Sequence, residues 1–513
     1  MAMLKKYVGK IENASVYEVA IKTPLDAMPT LSKRLNNEVL LKREDLQPVF
    51  SFKLRGAYNK IASLTEEARN KGVIAASAGN HAQGVALVAQ KLGIDALIVM
   101  PRTTPAIKVN SVREKGAQII LHGDTYDEAY EHAKQLVVEQ GLTFIHPYDD
   151  EDVIAGQGTV AMEVLQQTSS TAIDAIFVPV GGGGLIAGVA TYFKAKSPST
   201  KVIGVEPEDA PCMHHALEAG ERVVLDQVGI FADGVAVRQV GAEPFHVAQR
   251  YVDEVILVST DEICAGIKDI FDDTRSIAEP AGALAVAGLK KYIAREKCRG
   301  QHLVAIDSGA NINFDRLQHV AERAEVGEQR EALLAVTIPE QPGSFLAFCN
   351  LLGKRSITEF NYRYAHTRGA HIFVGVELSK GDKEKNALID RLANSSYEVI
   401  DMTDNEMAKM HIRHMVGGHA ESIDDEVLFR FQFPERPGAL LKFLTLIGQR
   451  WNISLFHYRN HGAAYGRVFV GLQVKTSEHI ELIDYFESLG YDYWEEVNNP
   501  AYRLFLAKEP HQH

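Results

Sequence analysis

The 513-residue sequence predicts an α/β region with buried, mainly parallel sheets, followed by a duplicated α+β region. Three observations carry this expectation. From about residue 38 to 310, short runs rich in valine and isoleucine alternate with longer helical patterns, as at Val73-Ile74-Ala75-Ala76, Leu97-Ile98-Val99-Met100, Ile176-Phe177-Val178 and Val304-Ala305-Ile306. Runs this apolar, without polar alternation, mark strands buried on both faces, the condition of a parallel sheet covered by helices. Around Ala324 to Arg330 the chain becomes charged and its pattern changes, which places a domain boundary there. Beyond it, one segment occurs twice.

In sheets of the first kind ligands bind outside the carboxyl ends of the strands, so the turns after the apolar runs are where chemistry is expected. The first such turn follows Val39-Leu40-Leu41: charges, Pro48, then Ser51-Phe52-Lys53 opening a helical segment. Between Phe52 and Leu54 the Lys53 amine can be partly desolvated, which frees it as nucleophile or base. Taken alone, Lys53 reads first as a solvated surface charge. After the Gly72 to Ala76 run come Ser77, Ala78, Gly79, Asn80 and His81, opening a second helix. Its amides can hold a carboxylate, and the Asn80 amide can bond a ring substituent. His81 reads either as an acid or base or as a histidine satisfied at a helix start.

The run Ala175 to Val180 leads into Gly181, Gly182, Gly183, Gly184 and Leu185 at the start of an apolar helix. Glycines there allow several N–H groups to point at one spot, the geometry that receives a phosphate. A dinucleotide site competes with this reading: Gly182, Gly184 and Ala187 fit G-x-G-x-x-A, with Glu206 ending the next strand. Last, the Leu303 to Asp307 run ends at Ser308, which offers a hydroxyl or a plain helix cap.

The repeat pairs Gly343 with Gly438, Tyr362 with Tyr458 and Gly375 with Gly471, at spacings of 95 or 96 residues. Each copy reads strand, Pro-Gly turn, helix, strand, hairpin, strand, helix, strand, the β-α-β-β-α-β ferredoxin-like order. The expected layout is therefore a first domain over 1–330, repeat domains over 331–404 and 426–498, a linker over 405–425 holding Gly417-Gly418, and a tail over 499–513.

Composition narrows the partners. Net charge is −13, and no cluster of Lys and Arg alternates with aromatics, which argues against nucleic acid and anionic membranes. Four cysteines, Cys212, Cys264, Cys298 and Cys349, lack paired spacing, so neither a disulfide framework nor a metal site is expected. No run has the makings of a signal peptide or a membrane span, and a cytoplasmic location is expected.

Ser51-Phe52-Lys53-Leu54-Arg55-Gly56-Ala57, Ser77-Ala78-Gly79-Asn80-His81, the tetraglycine loop and Ser308-Gly309-Ala310-Asn311 occur in this order at wide separations. Together they resemble the fold-type II pyridoxal-phosphate enzymes, most closely the biosynthetic threonine deaminases, and the repeat resembles that family's ACT-like regulatory pair. The resemblance implies that Lys53 attaches pyridoxal 5'-phosphate covalently and acts as base at the substrate Cα. It also implies that Gly181 to Leu185 bind the phosphate, Asn80 the ring hydroxyl and Ser308 the pyridine nitrogen, while Ser77 to His81 hold the substrate. The expected reaction converts L-threonine, with L-serine as a second candidate substrate, to a ketoacid and ammonia, the first step of isoleucine biosynthesis. Serine racemases resemble the pattern but carry a second serine where this chain has Ala78, so elimination is expected over racemisation. Glu279 reads as a site-lining group, a cation ligand or a helix-start residue. For the repeat, the resemblance implies inhibition by isoleucine opposed by valine, with Tyr362 and Tyr458 lining effector pockets and Arg363 and Arg459 as lesser candidates, in a homotetramer. A serine-preferring or β-replacement lyase on the same scaffold, and a non-catalytic amino-acid sensor, remain open alternatives.

Overall fold

The computed structural model describes residues 2–499 and 506, apart from 169–170, 230, 364–369, 411, 416–419, 421–422, 435–438, 448–450 and 460–464. Gly417-Gly418, the Pro437-Gly438 turn and all of the tail after 499 except Leu506 lie outside the described residues, as does the side chain of Arg459. Two compact units divide the chain, Met1–Gly327 and Glu328–His513.

The first unit holds two sheets. Six strands run in the order Leu25–Ala27, Glu38–Arg43, His302–Asp307, Ala175–Pro179, Lys201–Pro207, Glu254–Val258. All neighbours are parallel except the first pair, in which Leu25–Ala27 lies antiparallel to Glu38–Arg43. That antiparallel edge is not foreseen by the apolar runs, because a three-residue edge strand needs no buried face. The second sheet is parallel throughout, in the order Gln118–Leu121, Ala96–Met100, Val73–Ala76, Thr143–Phe144. Val73 to Ala76 and Ala175 to Pro179 are buried at every position, as strands covered on both faces must be.

The helix Lys53–Ala62 is wedged between the helices Asn80–Leu92 and Glu151–Gln167. A Cβ on Gly156 would lie 2.6 Å from the Arg55 carbonyl and 2.7 Å from Gly56 Cα, so this contact requires glycine. Backbone meets backbone there, and the helix that begins with Lys53 cannot slide.

The second unit is one eight-stranded antiparallel sheet built from two β-α-β-β-α-β copies. The copies join through Ile357–Arg363 and Asn452–Arg459, in a register that places Phe360 opposite Tyr458 and Tyr362 opposite Phe456. Since Phe360 and Tyr362 correspond to Phe456 and Tyr458 in the repeat, the pairing is two-fold symmetric. The interval read as a linker contains a short helix, Glu406–Met410, and a 3-10 turn, Ile412–His414. Arg413 is buried there against Glu359 at 2.9 Å, and its carbonyl accepts from Asn361 Nδ2. An arginine meeting a buried carboxylate ties this interval to the sheet, which its glycines and acidic residues do not reveal. Among the described residues no helix is long and apolar enough to cross a membrane.

Candidate functional site

Four segments of the first unit converge on one cleft of about 1780 Å³. Lys53 is the first residue of its helix, Asn80 the first of the helix after Val73–Ala76, and Gly184 the first of the helix after Ala175–Pro179. Three helices therefore begin at the cleft, each presenting unpaired N–H groups and the positive end of its dipole. The fourth segment, Ser308 to Asn311, is stitched to the approach of Lys53: Phe52 N–H donates to the Ser308 carbonyl at 3.3 Å and Ala310 N–H to Phe50 at 2.9 Å. Lys53, Ser77, Ala78, Gly79, Asn80, His81, Gly181 to Leu185 and Ser308 all line the cleft.

The glycine loop is shaped by its neighbours. Gly183 has φ +93°, a conformation that side chains resist, and a Cβ on Gly182 would overlap the Tyr148 ring. Glu206, the acid of the dinucleotide reading, is committed elsewhere: its carboxylate accepts the Met213 and His214 amides at 2.8 and 2.9 Å, at the start of the next helix. A ribose has no acid to bind there.

Lys53 Nζ lies 3.4 Å from the Pro147 carbonyl, its one hydrogen-bond partner among the described residues. The walls desolvate the amine and bring its pKa down to about 8, opposed by the charge of Glu279. His81 is buried, and its Nε2 donates to the Ile145 carbonyl at 2.8 Å. Burial, with the Lys53 charge adding, lowers its pKa to about 3, so the imidazole is neutral, and its buried Nδ1 has no hydrogen-bond partner among the described residues. Only one ring nitrogen of His81 is therefore satisfied, so the structure leaves both readings of this residue open. Ser308 is buried, its Oγ only 3.4 Å from the Ala281 carbonyl.

The segment His146 to Asp149 escaped the sequence reading, although it follows the Thr143–Phe144 strand as the strand-end rule requires. His146 Nδ1 accepts the Asp149 N–H at 2.8 Å, and burial lowers the ring's pKa to about 4. Tyr148 backs the glycine loop, and Asp149 accepts the Ala242 and Glu243 amides at 2.9 Å. A two-residue strand carries too little pattern to flag the turn after it. Across the cleft, Lys108 pairs with Asp233 at 2.6 Å.

In the second unit Tyr362 and Tyr458 are buried in the aromatic core. The Tyr362 hydroxyl donates to Glu340, whose other oxygen accepts Asn452 Nδ2 at 3.1 Å, linking the two copies. A crevice of about 10 Å³ lies beside this chain, between Phe345, Leu346, Leu444 and Trp451.

Residues 16–309 match the family model described as pyridoxal-phosphate dependent enzyme. Residues 322–412 and 417–506 each match the model for the C-terminal regulatory domain of threonine dehydratase. The chain is 56% identical to a biosynthetic L-threonine dehydratase of Burkholderia multivorans, over 98% of its own length and 99% of that protein's. It is 55% identical to the biosynthetic L-threonine dehydratase of Escherichia coli, over 98% and 97% of the two lengths. Among solved structures, the processed form of threonine deaminase isoform 2 from Solanum lycopersicum superposes with a TM-score of 0.62 at 50% identity, covering 63% of this chain and 89% of that one. Maize serine racemase gives 0.57 at 33% identity, covering 61% and 96%.

Proposed function

Because the chain belongs to the pyridoxal-phosphate-dependent enzymes and carries the C-terminal regulatory domain of threonine dehydratase, we propose that it converts L-threonine to 2-oxobutanoate and ammonia, opening isoleucine synthesis in the cytoplasm. The observation that carries this reading is a desolvated lysine amine, without an ion-pair partner among the described residues, facing a glycine-opened helix terminus and a lone serine hydroxyl across one cleft.

The residues fit the cofactor's chemistry part by part. Gly181 to Leu185 hold the phosphate on helix-terminal amides, where a negative charge is favoured. Asn80 would meet the cofactor's ring hydroxyl and Ser308 its pyridine nitrogen. Pyridoxal phosphate, when bound, supplies the electron sink for the pair left at Cα. Lys53 would hold the cofactor covalently, and its amine would serve as the base for the Cα proton. Ser77 to His81 hold the substrate carboxylate at a helix start. A hydroxyl at position 308, unlike a carboxylate, leaves the pyridine nitrogen unprotonated, which favours loss of the β-hydroxyl. Ala78 offers no second base, which favours elimination over racemisation. The deciding experiment measures ketoacid release from purified protein: rapid turnover of L-threonine, exceeding that of L-serine, is expected, and a preference for serine would overturn the substrate assignment. Gly182→Ala forces a methyl against Tyr148, an overpacking cost of about 1–3 kcal/mol. Cofactor affinity, measured by titrating the apoprotein, is expected to drop about tenfold or more.

The domain limits 1–330, 331–404 and 426–498 are part of the same reading, as is a homotetramer. Isoleucine inhibits and valine opposes it, through pockets lined by Tyr362 and Tyr458. The crevice at Phe345, Trp451 and Asn452, which neither tyrosine lines, has room for about one water, so an amino acid enters it only if the two copies shift. That supplies the two states an effector must distinguish. Tyr362→Phe removes a hydrogen bond to a carboxylate, and half-inhibition by isoleucine is expected to need about tenfold more effector or greater. The same is expected for Tyr458→Phe. Unchanged isoleucine sensitivity in both variants would remove the tyrosines from the pockets.

A further inference from the structure

Glu279 occupies the cap position before the helix Pro280–Glu296, at φ −70° and ψ 160°, yet its side chain caps none of that helix's amides. The carboxylate is buried and turned toward the cleft, where Oε1 accepts Asn80 Nδ2 at 2.6 Å and the backbone N–H of Asn311 also donates to the group. A carboxylate drawn away from its own helix terminus is held for another purpose.

The hydrogen bonds around Asn80 fix which way its amide faces. Asn311 Nδ2 donates to the Val49 carbonyl at 2.8 Å, and a carbonyl only accepts, so this end of Asn311 is nitrogen. The second hydrogen of that nitrogen goes to Asn80 Oδ1 at 2.7 Å, which makes this atom of Asn80 oxygen. Asn80 Nδ2 then spends one hydrogen on Glu279 and has one left. A flipped amide would set its oxygen against the Glu279 carboxylate and its nitrogen against the Asn311 donor. Burial raises the Glu279 carboxyl to about 7, with the Asp233 charge adding, and Oε1 can accept from Asn80 in either protonation state.

We propose that Glu279 is a positioning residue for the cofactor ring: with Asn311 it locks the Asn80 amide so that the remaining Nδ2 hydrogen is presented to the ring oxygen. The proposal rests on the assignment of Asn80 to the cofactor. Without Glu279 the amide loses the acceptor that holds its nitrogen end, and only the Asn311 donor at its oxygen end restrains it.

The test uses the full-length chain stripped of cofactor and titrated with pyridoxal phosphate, reading the dissociation constant and the visible absorption maximum. Asn80→Ala is expected to weaken binding about tenfold and shift the maximum, and Glu279→Ala to do about the same. The double variant is expected to bind within about twofold of Asn80→Ala, because Glu279 acts through Asn80. Glu279→Gln keeps an oxygen acceptor without the charge and is expected to retain the parental maximum and affinity within about threefold. Additive losses in the double variant, or a Glu279→Gln as impaired as Glu279→Ala, would overturn the proposal and leave the Asn80 assignment standing. Parental binding and spectrum in Asn80→Ala would remove that assignment and the proposal with it.

Discussion

Lys53→Ala is expected to lower turnover of L-threonine by at least about 10⁴-fold, the upper range of what a positioned base supplies, because in the proposed function the same amine provides the covalent attachment and the Cα base. The purified variant is also expected to lose the visible absorbance of the bound cofactor while melting near the parent's temperature. Among the described residues the Lys53 amine has one hydrogen-bond partner, the Pro147 carbonyl at 3.4 Å, and its Nζ lies 5.2 Å from the Phe52 centroid, so little structure depends on its ammonium. The depressed pKa sets a pH dependence with a definite sign. Only the neutral amine attacks an aldehyde, and with a pKa of about 8 roughly a tenth of Lys53 is neutral at pH 7, against less than about one part in a thousand for an ordinary lysine. The rate at which apoprotein captures pyridoxal phosphate is therefore expected to climb nearly tenfold per pH unit below 7 and level off above about pH 9. A flat rate between pH 6 and 9 would place the amine's pKa below that range, and a climb of about tenfold per unit continuing through pH 9 would place it above.

Arg55→Met is expected to lower stability by about 3–5 kcal/mol, the cost of stranding a buried charge. Lys42, Glu44, Arg55 and Glu163 are all fully buried, two cations against two anions. The Arg55 guanidinium grips Glu44 at 2.7 and 2.8 Å and Glu163 at 2.6 and 3.1 Å. Lys42 holds Glu163 at 2.6 Å, while Thr23, Gln47 and Tyr17 occupy further lone pairs of the two acids. Methionine would leave two carboxylates facing one ammonium. Set against a typical total stability of about 5–15 kcal/mol, thermal unfolding is expected to begin on the order of 10 °C lower. Adding Glu163→Gln removes the surplus charge and is expected to recover part of the loss, which a melting curve of the double variant checks. Against the effect of burial, Arg55 holds the Glu44 carboxyl below its ordinary range. That contribution is present above the unfolded carboxylate pKa of about 4.3 and disappears as pH falls through the lower folded value. Arg55 lies two residues after Lys53 in one helix, so the same variant is expected to loosen the placement of the catalytic amine.

Much of the site was legible because strand ends advertise themselves. Lys53, Ser77 to His81, the tetraglycine loop and Ser308 each follow an apolar run, and each lines the cleft. The repeat was legible through its constant spacing, and its strand order through the Pro-Gly turns and alternating helices. In the sequence Glu279 reads as a site-lining group, a cation ligand or a helix-start residue, with nothing to choose among them. Its use depends on Asn80, 199 positions away, and no local pattern reports such a meeting. Tyr148 and His146 were missed because the strand that delivers them has two residues.

By itself the sequence determined where strands, helices and glycine turns form, because periodicity, apolar runs and backbone freedom act over a few residues. The tertiary structure alone decided which side chains meet. It turned Glu206 to a helix terminus rather than a ribose, gave His81 a carbonyl partner, and placed Glu279 against Asn80. It also assembled four charges from residues 42, 44, 55 and 163 into one neutral buried cluster. The physical reason is burial: desolvation and pairing set the charge state and orientation of a side chain, and both belong to the packed interior rather than to the chain's local order.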